Sequence, residues 1–309
     1  MTLAYIPRLV SLALACFFLV HVLTALAVAS CSHRAIRAAD RLYPRAAARL
    51  VLALRLAPCG LALFAAVGLC TPSYLWYEPE RVDEHVGFVC LALAFAGLTL
   101  LGIATARALR AVAVSLIFLR NCRQSGYMRD ELAALVIRSP QPLLTLAGIL
   151  RPRVIMSQVI VDALTAEELT VVLSHERAHR ASRDNLKRLC LSFAPGFKSL
   201  DRAWVRFAEF AADDEAVAGD EKNSLALASA LVRVARFGQN PSTPKYAISF
   251  LGNAGDLPQR VDRLLAPRPA ARPGHGSGAA LIVVACLAAM SFNPATLRLV
   301  QAALEGLIR

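Results

Sequence analysis

Three stretches without a charged side chain dominate the first third of the chain, at residues 9–31, 56–77 and 86–106. A hydrocarbon core needs about 20 helical residues to cross, so each stretch predicts a membrane span. A further apolar core, residues 279–292, follows a Pro/Gly-rich linker at 267–278. It is short for a span unless small flanking residues extend it to 279–297. Between residues 107 and 266 charges repeatedly break the hydrophobicity, which predicts a compact domain at the membrane surface. The pattern therefore divides the chain into three spans with their loops (1–106), a domain (107–266), a linker (267–278), a fourth span (279–297) and a short tail (298–309). Composition agrees, since 57% hydrophobic residues and a mean hydropathy of +0.51 exceed the soluble range. The expected class is an α-helical integral membrane protein carrying an α+β domain.

Charge then orients the spans, because arginines near span ends resist translocation. The first loop carries Arg34, Arg37, Arg41, Arg45, Arg49 and Arg55 against Asp40. The second carries Glu78, Glu80, Asp83 and Glu84 against Arg81. The first loop is thus expected inside and the second outside, with the N-terminus and the tail outside. Arg107, Arg110, Arg120 and Arg123, with Arg260, Arg263, Arg268 and Arg272, hold the domain on the cytoplasmic side. Tyr74, Trp76 and Tyr77 fall where the second span meets the outer interface. The net charge of +12 follows from these membrane flanks, so the bilayer is the expected partner and direct nucleic-acid binding is not. The 8 cysteines lie mostly in the spans without paired spacing, so neither a disulfide framework nor a zinc ribbon is implied. Arg8, an apolar run and Val28-Ala29-Ser30-Cys31 look like a cleavable leader. The run exceeds the usual length of such a region, which favours a span.

Within the domain, residues 143–150 and 153–161 read as two β-rich runs separated by Arg151 and Pro152, a hairpin or strand pair. Either could be plain sheet, or an edge that holds an extended substrate. The apolar run 111–119 is too short to cross and either extends the third helix or lies along the interface. Thr165-Ala166-Glu167-Glu168 has the form of a capping box and starts a helix, which nothing interrupts before Pro195.

That helix carries His175-Glu176-Arg177-Ala178-His179. Imidazoles four residues apart face one way and can share a metal ion. Glu176 lies about 100° around the helix, near enough to reach water at that metal without coordinating it. A chance match is expected only about 0.004 times in a chain of this composition. A catalytic zinc takes three protein ligands and keeps one position open, so a third ligand is required. Glu209 is the candidate, and Asp213, four residues on, can steady a ligating imidazole. An acidic helix surface is the plainer alternative, because Asp214 and Glu215 follow directly.

These residues carry a resemblance. The strand pair around Arg151-Pro152, the Thr165-x-x-Glu168-Leu169 start, the His175–His179 motif with Asp184, the Glu209-x-x-x-Asp213 spacing and the run 257–265 resemble the BlaR/MecR type of membrane metallopeptidase, the β-lactam sensor-transducers and their relatives. The resemblance implies a gluzincin-like cytoplasmic zinc metallopeptidase domain. It assigns Zn2+ to His175, His179 and Glu209, catalysis to Glu176, and support to Asp213 and Asp184. It also implies a protein or peptide substrate such as a cytoplasmic transcriptional repressor. The penicillin-binding sensor domain of the best-known members is missing after Asn293, so β-lactam sensing is not expected. Ala211-Ala212-Asp213 also resembles the quality-control membrane proteases of the heat-shock and CAAX-processing type. A non-catalytic signalling scaffold with structural zinc is the non-enzymatic alternative. A metal transporter is disfavoured, because His21 is the only histidine well inside a span.

Overall fold

The computed structural model describes residues 4–78, 86–237, 248–249, 256–266, 286 and 288–308. Among them, three helices are long and apolar enough to cross a membrane. The first is α1 (Tyr5–Ala39). The second starts as α2 (Pro44–Leu63) and runs through a π-helical stretch (Phe64–Cys70) into α3 (Thr71–Tyr77). The third is α4 (Phe88–Ser125). At 38 residues α4 is about 57 Å long, well over a hydrocarbon core, and the run 111–119 is its continuation. The linker and most of the fourth-span region lie outside the described residues. A later helix, which we label α11, spans Pro294–Ile308.

The chain divides into two compact units. The first contains Met1–Ala35, Ala53–Thr105 and Gly274–Arg309. Its helices leave large apolar side chains such as Leu23, Val67 and Phe95 on the surface, a pattern suited to lipid. Several of its polar contacts are buried between helices. Arg8 Nε donates to the Tyr74 hydroxyl at 2.7 Å and its guanidinium lies 3.5 Å from Glu78. Gln301 of α11 donates to Glu78 at 2.6 Å, and Ser73 donates to the Leu297 carbonyl at 2.8 Å.

The second unit contains Ile36–Leu52 and Ala106–Pro273. Its small mixed sheet comprises β1 (Gly126–Arg129), β2 (Ala134–Ile137), β3 (Leu144–Ala147), β4 (Arg153–Ser157) and β5 (Ile248–Ser249), in the order β1-β2-β4-β3-β5. β2 and β4 are parallel and the other pairs antiparallel. β3 and β4 are the expected strand pair, in register from Leu144 opposite Met156 to Ala147 opposite Arg153. The second run is shorter than its β-branched residues suggest. It ends at Ser157, and Gln158–Ala163 forms helix α5, in which Gln158 donates to Asp162 and Ile160 enters the core. Neither strand of the pair is free along its whole length, because β4 lies between β2 and β3 and β5 covers Thr145 and Leu146 of β3.

Helices α6 (Ala166–Ala181), α7 (Asp184–Phe193), α8 (Lys198–Val217), α9 (Glu221–Arg236) and α10 (Leu257–Leu265) complete this unit. Val136, Leu146 and Met156 of the sheet share a core with Val172 of α6, Val217 of α8 and Leu227 and Leu231 of α9. The helix from Thr165 does not continue to Pro195. It stops at Ser182, and Arg183 turns left-handed at φ 55° before α7 begins. Such a backbone costs about 1–3 kcal/mol in a residue with a Cβ. The turn is held by Asn185, which donates to the carbonyls of Leu146 and Gly148 at 3.0 and 2.6 Å.

Candidate metal centre

Helix α6 presents His175, Glu176 and His179 because its start and its inner face are both fixed. The capping box forms as expected. The Thr165 hydroxyl accepts from the Glu168 amide at 3.2 Å, and the Glu168 carboxylate accepts from the Thr165 amide at 2.9 Å. The other Glu168 oxygen accepts from Ser229 of α9 at 2.6 Å, so the same residue ties α6 to its neighbour. Val171, Val172 and Leu173 are buried, and they seat the helix so that the motif side chains also point inward.

His175, Glu176, His179, Glu209, Asp213 and Asp184 converge there, each nearly inaccessible to solvent. His175 Nε2 and His179 Nε2 are 3.1 Å apart, and Glu209 Oε2 lies 3.5 and 3.7 Å from them. A triangle with these sides has a circumradius of about 2.0 Å, which matches zinc–nitrogen and zinc–oxygen distances of about 2.0–2.2 Å. The donor set therefore fits a zinc ion. Among the described residues this group of possible ligands has only those three members. Among the described residues neither oxygen of Glu176 has a hydrogen-bond partner, leaving a buried carboxylate beside the centre.

The outer ring nitrogens face carboxylates. Asp213 Oδ1 is 2.9 Å from His175 Nδ1, and Asp184 Oδ2 is 2.8 Å from His179 Nδ1. In the neutral form with the proton on Nδ1, each imidazole would turn an Nε2 lone pair toward the shared point, as metal ligation requires. Lys187 in turn lies 2.7 Å from Asp184.

Arg260 closes the centre, and its role is not apparent from local sequence. Its Nε and Nη2 donate to the two Asp213 oxygens at 2.8 and 2.6 Å, and its Nη1 lies 3.1 Å from Glu209 Oε2. Only its place in the amphipathic run 257–265 hints that it turns toward the core. Arg263, one turn-face away on α10, pairs with Asp214 at 2.7 Å and holds α10 against α8.

The electrostatics follow from burial set against these partners. Burial opposes a charge on His179, yet the Glu209 and Asp184 carboxylates raise its pKa to about 10. For His175, burial is likewise outweighed by Asp213 and Glu209, and its pKa is raised. Burial would raise Asp213, but Arg260 and His175 bring it down to about 2. Glu209 is held well below the carboxylate range against its own burial, by His179 and Arg260. Glu176 moves the other way, because burial dominates and raises its pKa. The centre thus holds positive charge between its histidines and keeps one carboxylate basic, as proton-transfer chemistry requires.

A model of Peptidase family M48 matches residues 108–267, just over half of the chain. No curated protein and no solved structure matches the chain. The match concerns the peptidase family, and the likeness to the BlaR/MecR type rests on sequence motifs.

Proposed function

The chain belongs to peptidase family M48, and from that premise we propose that it is a membrane-anchored, zinc-dependent endopeptidase. In this reading the ion is held by His175, His179 and Glu209, and hydrolysis occurs at the cytoplasmic membrane surface. The observation that carries the reading is the triangle of two Nε2 atoms and Glu209 Oε2 around one point, with the unpartnered Glu176 carboxylate alongside. A bound zinc ion would polarise water and the scissile carbonyl and neutralise the charge that develops on the carbonyl oxygen.

The rest is done by the chain. Glu176, with its raised pKa, takes a proton from the attacking water and returns it to the leaving amine. Asp213 and Asp184 hold the two imidazoles in the tautomer that points Nε2 inward. Arg260 keeps Asp213 and Glu209 ionised and aligned. A structural zinc usually has four protein ligands, so a group of three favours catalysis over the scaffold.

The cytoplasmic side is inferred from the arginines that flank the spans. The BlaR/MecR-type resemblance extends the proposal to signalling, with a cytoplasmic transcriptional repressor or the chain itself as substrate. The test is Glu176→Gln beside His175→Ala. Glu176→Gln retains stoichiometric zinc and loses proteolysis, whereas His175→Ala loses the zinc. Proteolysis that persists in verified Glu176→Gln protein would defeat the assignment.

A further inference from the structure

A basic groove of about 750 Å³ lies beside the β3–β4 turn and the end of α6. Its volume is within the ~300–1,000 Å³ typical of ligand clefts. Arg151, Arg153, Arg180 and Arg183 line it against one carboxylate, Asp130. None of the four guanidiniums forms an ion pair with a carboxylate among the described residues; the one polar contact of Arg153 is the Met128 sulfur at 3.9 Å. Four like charges gathered around a single carboxylate repel one another, and an anionic ligand relieves that repulsion. Apolar residues, among them Leu135, Ile149 and Leu186, also line it, and Leu150 is left 84% exposed.

Two of the lining arginines stand next in sequence to residues of the metal centre. Arg180 follows the ligand His179, and Arg183, whose backbone is strained, lies between that ligand and Asp184. Arg180 is one residue and Arg183 four residues along the chain from the ligand His179, so a substrate segment beside them lies near the metal centre in sequence terms. We propose that this groove binds an acidic, partly apolar segment of the peptide substrate close to its scissile bond. The carboxylates of that segment pair with the arginines while its alternate side chains rest on the apolar lining residues. The inference rests on the endopeptidase reading and adds a substrate class to it.

The test uses the full-length Glu176→Gln protein in nanodiscs of neutral lipid, which separates binding from turnover. Two short fluorescein-labelled peptides are compared by anisotropy, one alternating Glu with Leu and one with Gln in place of Glu. The Glu peptide is expected to bind about tenfold more tightly, and adding Arg151→Glu with Arg153→Glu should remove that preference while leaving the Gln peptide unchanged. Both substituted residues are exposed and neither is a ligand or a hydrogen-bond partner of one, so zinc content and melting temperature should hold. Rising salt should weaken the Glu peptide alone, a check that needs no substitution. Equal binding of the two peptides overturns the proposal. So does stabilisation by short-chain phosphatidylserine that depends on Arg151 and Arg153 while the Glu peptide does not bind, which would make the groove a lipid site. Failure of zinc-loaded parent protein to cleave any peptide would instead defeat the endopeptidase reading, whatever the anisotropy reports.

Discussion

Replacing Arg260 with methionine removes a guanidinium that contacts both Asp213 and Glu209. The three side chains are almost wholly buried, and the guanidinium makes two hydrogen bonds to Asp213 and an ion pair to Glu209. Breaking one side of such a buried network costs about 3–5 kcal/mol, because the partner charges remain without compensation. For a unit of this size that corresponds to a fall in melting temperature of roughly 6–20 °C. Zinc should recover part of the loss, since a divalent ion at Glu209 supplies the missing positive charge. The thermal gain on adding zinc is therefore expected to be larger in Arg260→Met than in the parent. Scanning calorimetry of both proteins, zinc-free and zinc-saturated, measures all four states. Arg260→Lys keeps the charge but loses the two-pronged geometry, and should fall between them. In the double variant Asp213→Asn with Arg260→Met, the stability lost should be clearly less than the sum of the single losses. A loss below about 1 kcal/mol for Arg260→Met would refute the reasoning, because a network worth that little resembles an exposed pair.

Two further outcomes follow from the same geometry. In the zinc-free protein the raised His179 pKa adds stability that is full below the unfolded histidine value of about 6.5 and is lost as pH rises through about 10. Zinc must displace that proton, so its apparent affinity should rise about tenfold per pH unit for each proton released; titration calorimetry in buffers of different ionisation enthalpy should detect the release, and a buffer-independent heat would contradict it. At the start of α6, Thr165→Ala should cost about 1 kcal/mol by leaving the Glu168 amide without its cap, read as a lowered melting temperature with zinc stoichiometry unchanged.

How much of the centre was legible in the sequence depended on the range of each interaction. His175 and His179 share a face at four-residue spacing, as do Glu209 and Asp213, so helical periodicity alone brings each pair together. Arg260 meets Asp213 across 47 residues of chain, a separation no local pattern spans. The β-branched residues after Ser157 misled for a related reason. Their type suits a strand, but Ile160 is buried in the core and Val161 packs partly against it from a helix, and tertiary burial outweighed propensity.

Asp184 is the instructive case. It belongs to the motif set in sequence, yet an unbroken helix through this region would have set it about 140° around the axis from His179, five residues on. From there its carboxylate would have pointed away from the imidazole. The left-handed Arg183 breaks the helix and swings Asp184 back to 2.8 Å from Nδ1. The strain at Arg183 is thus offset by three contacts it makes possible, those of Asp184 with His179 and of Asn185 with two carbonyls at the end of β3. The break that the sequence pattern conceals is what delivers a residue that the pattern did name.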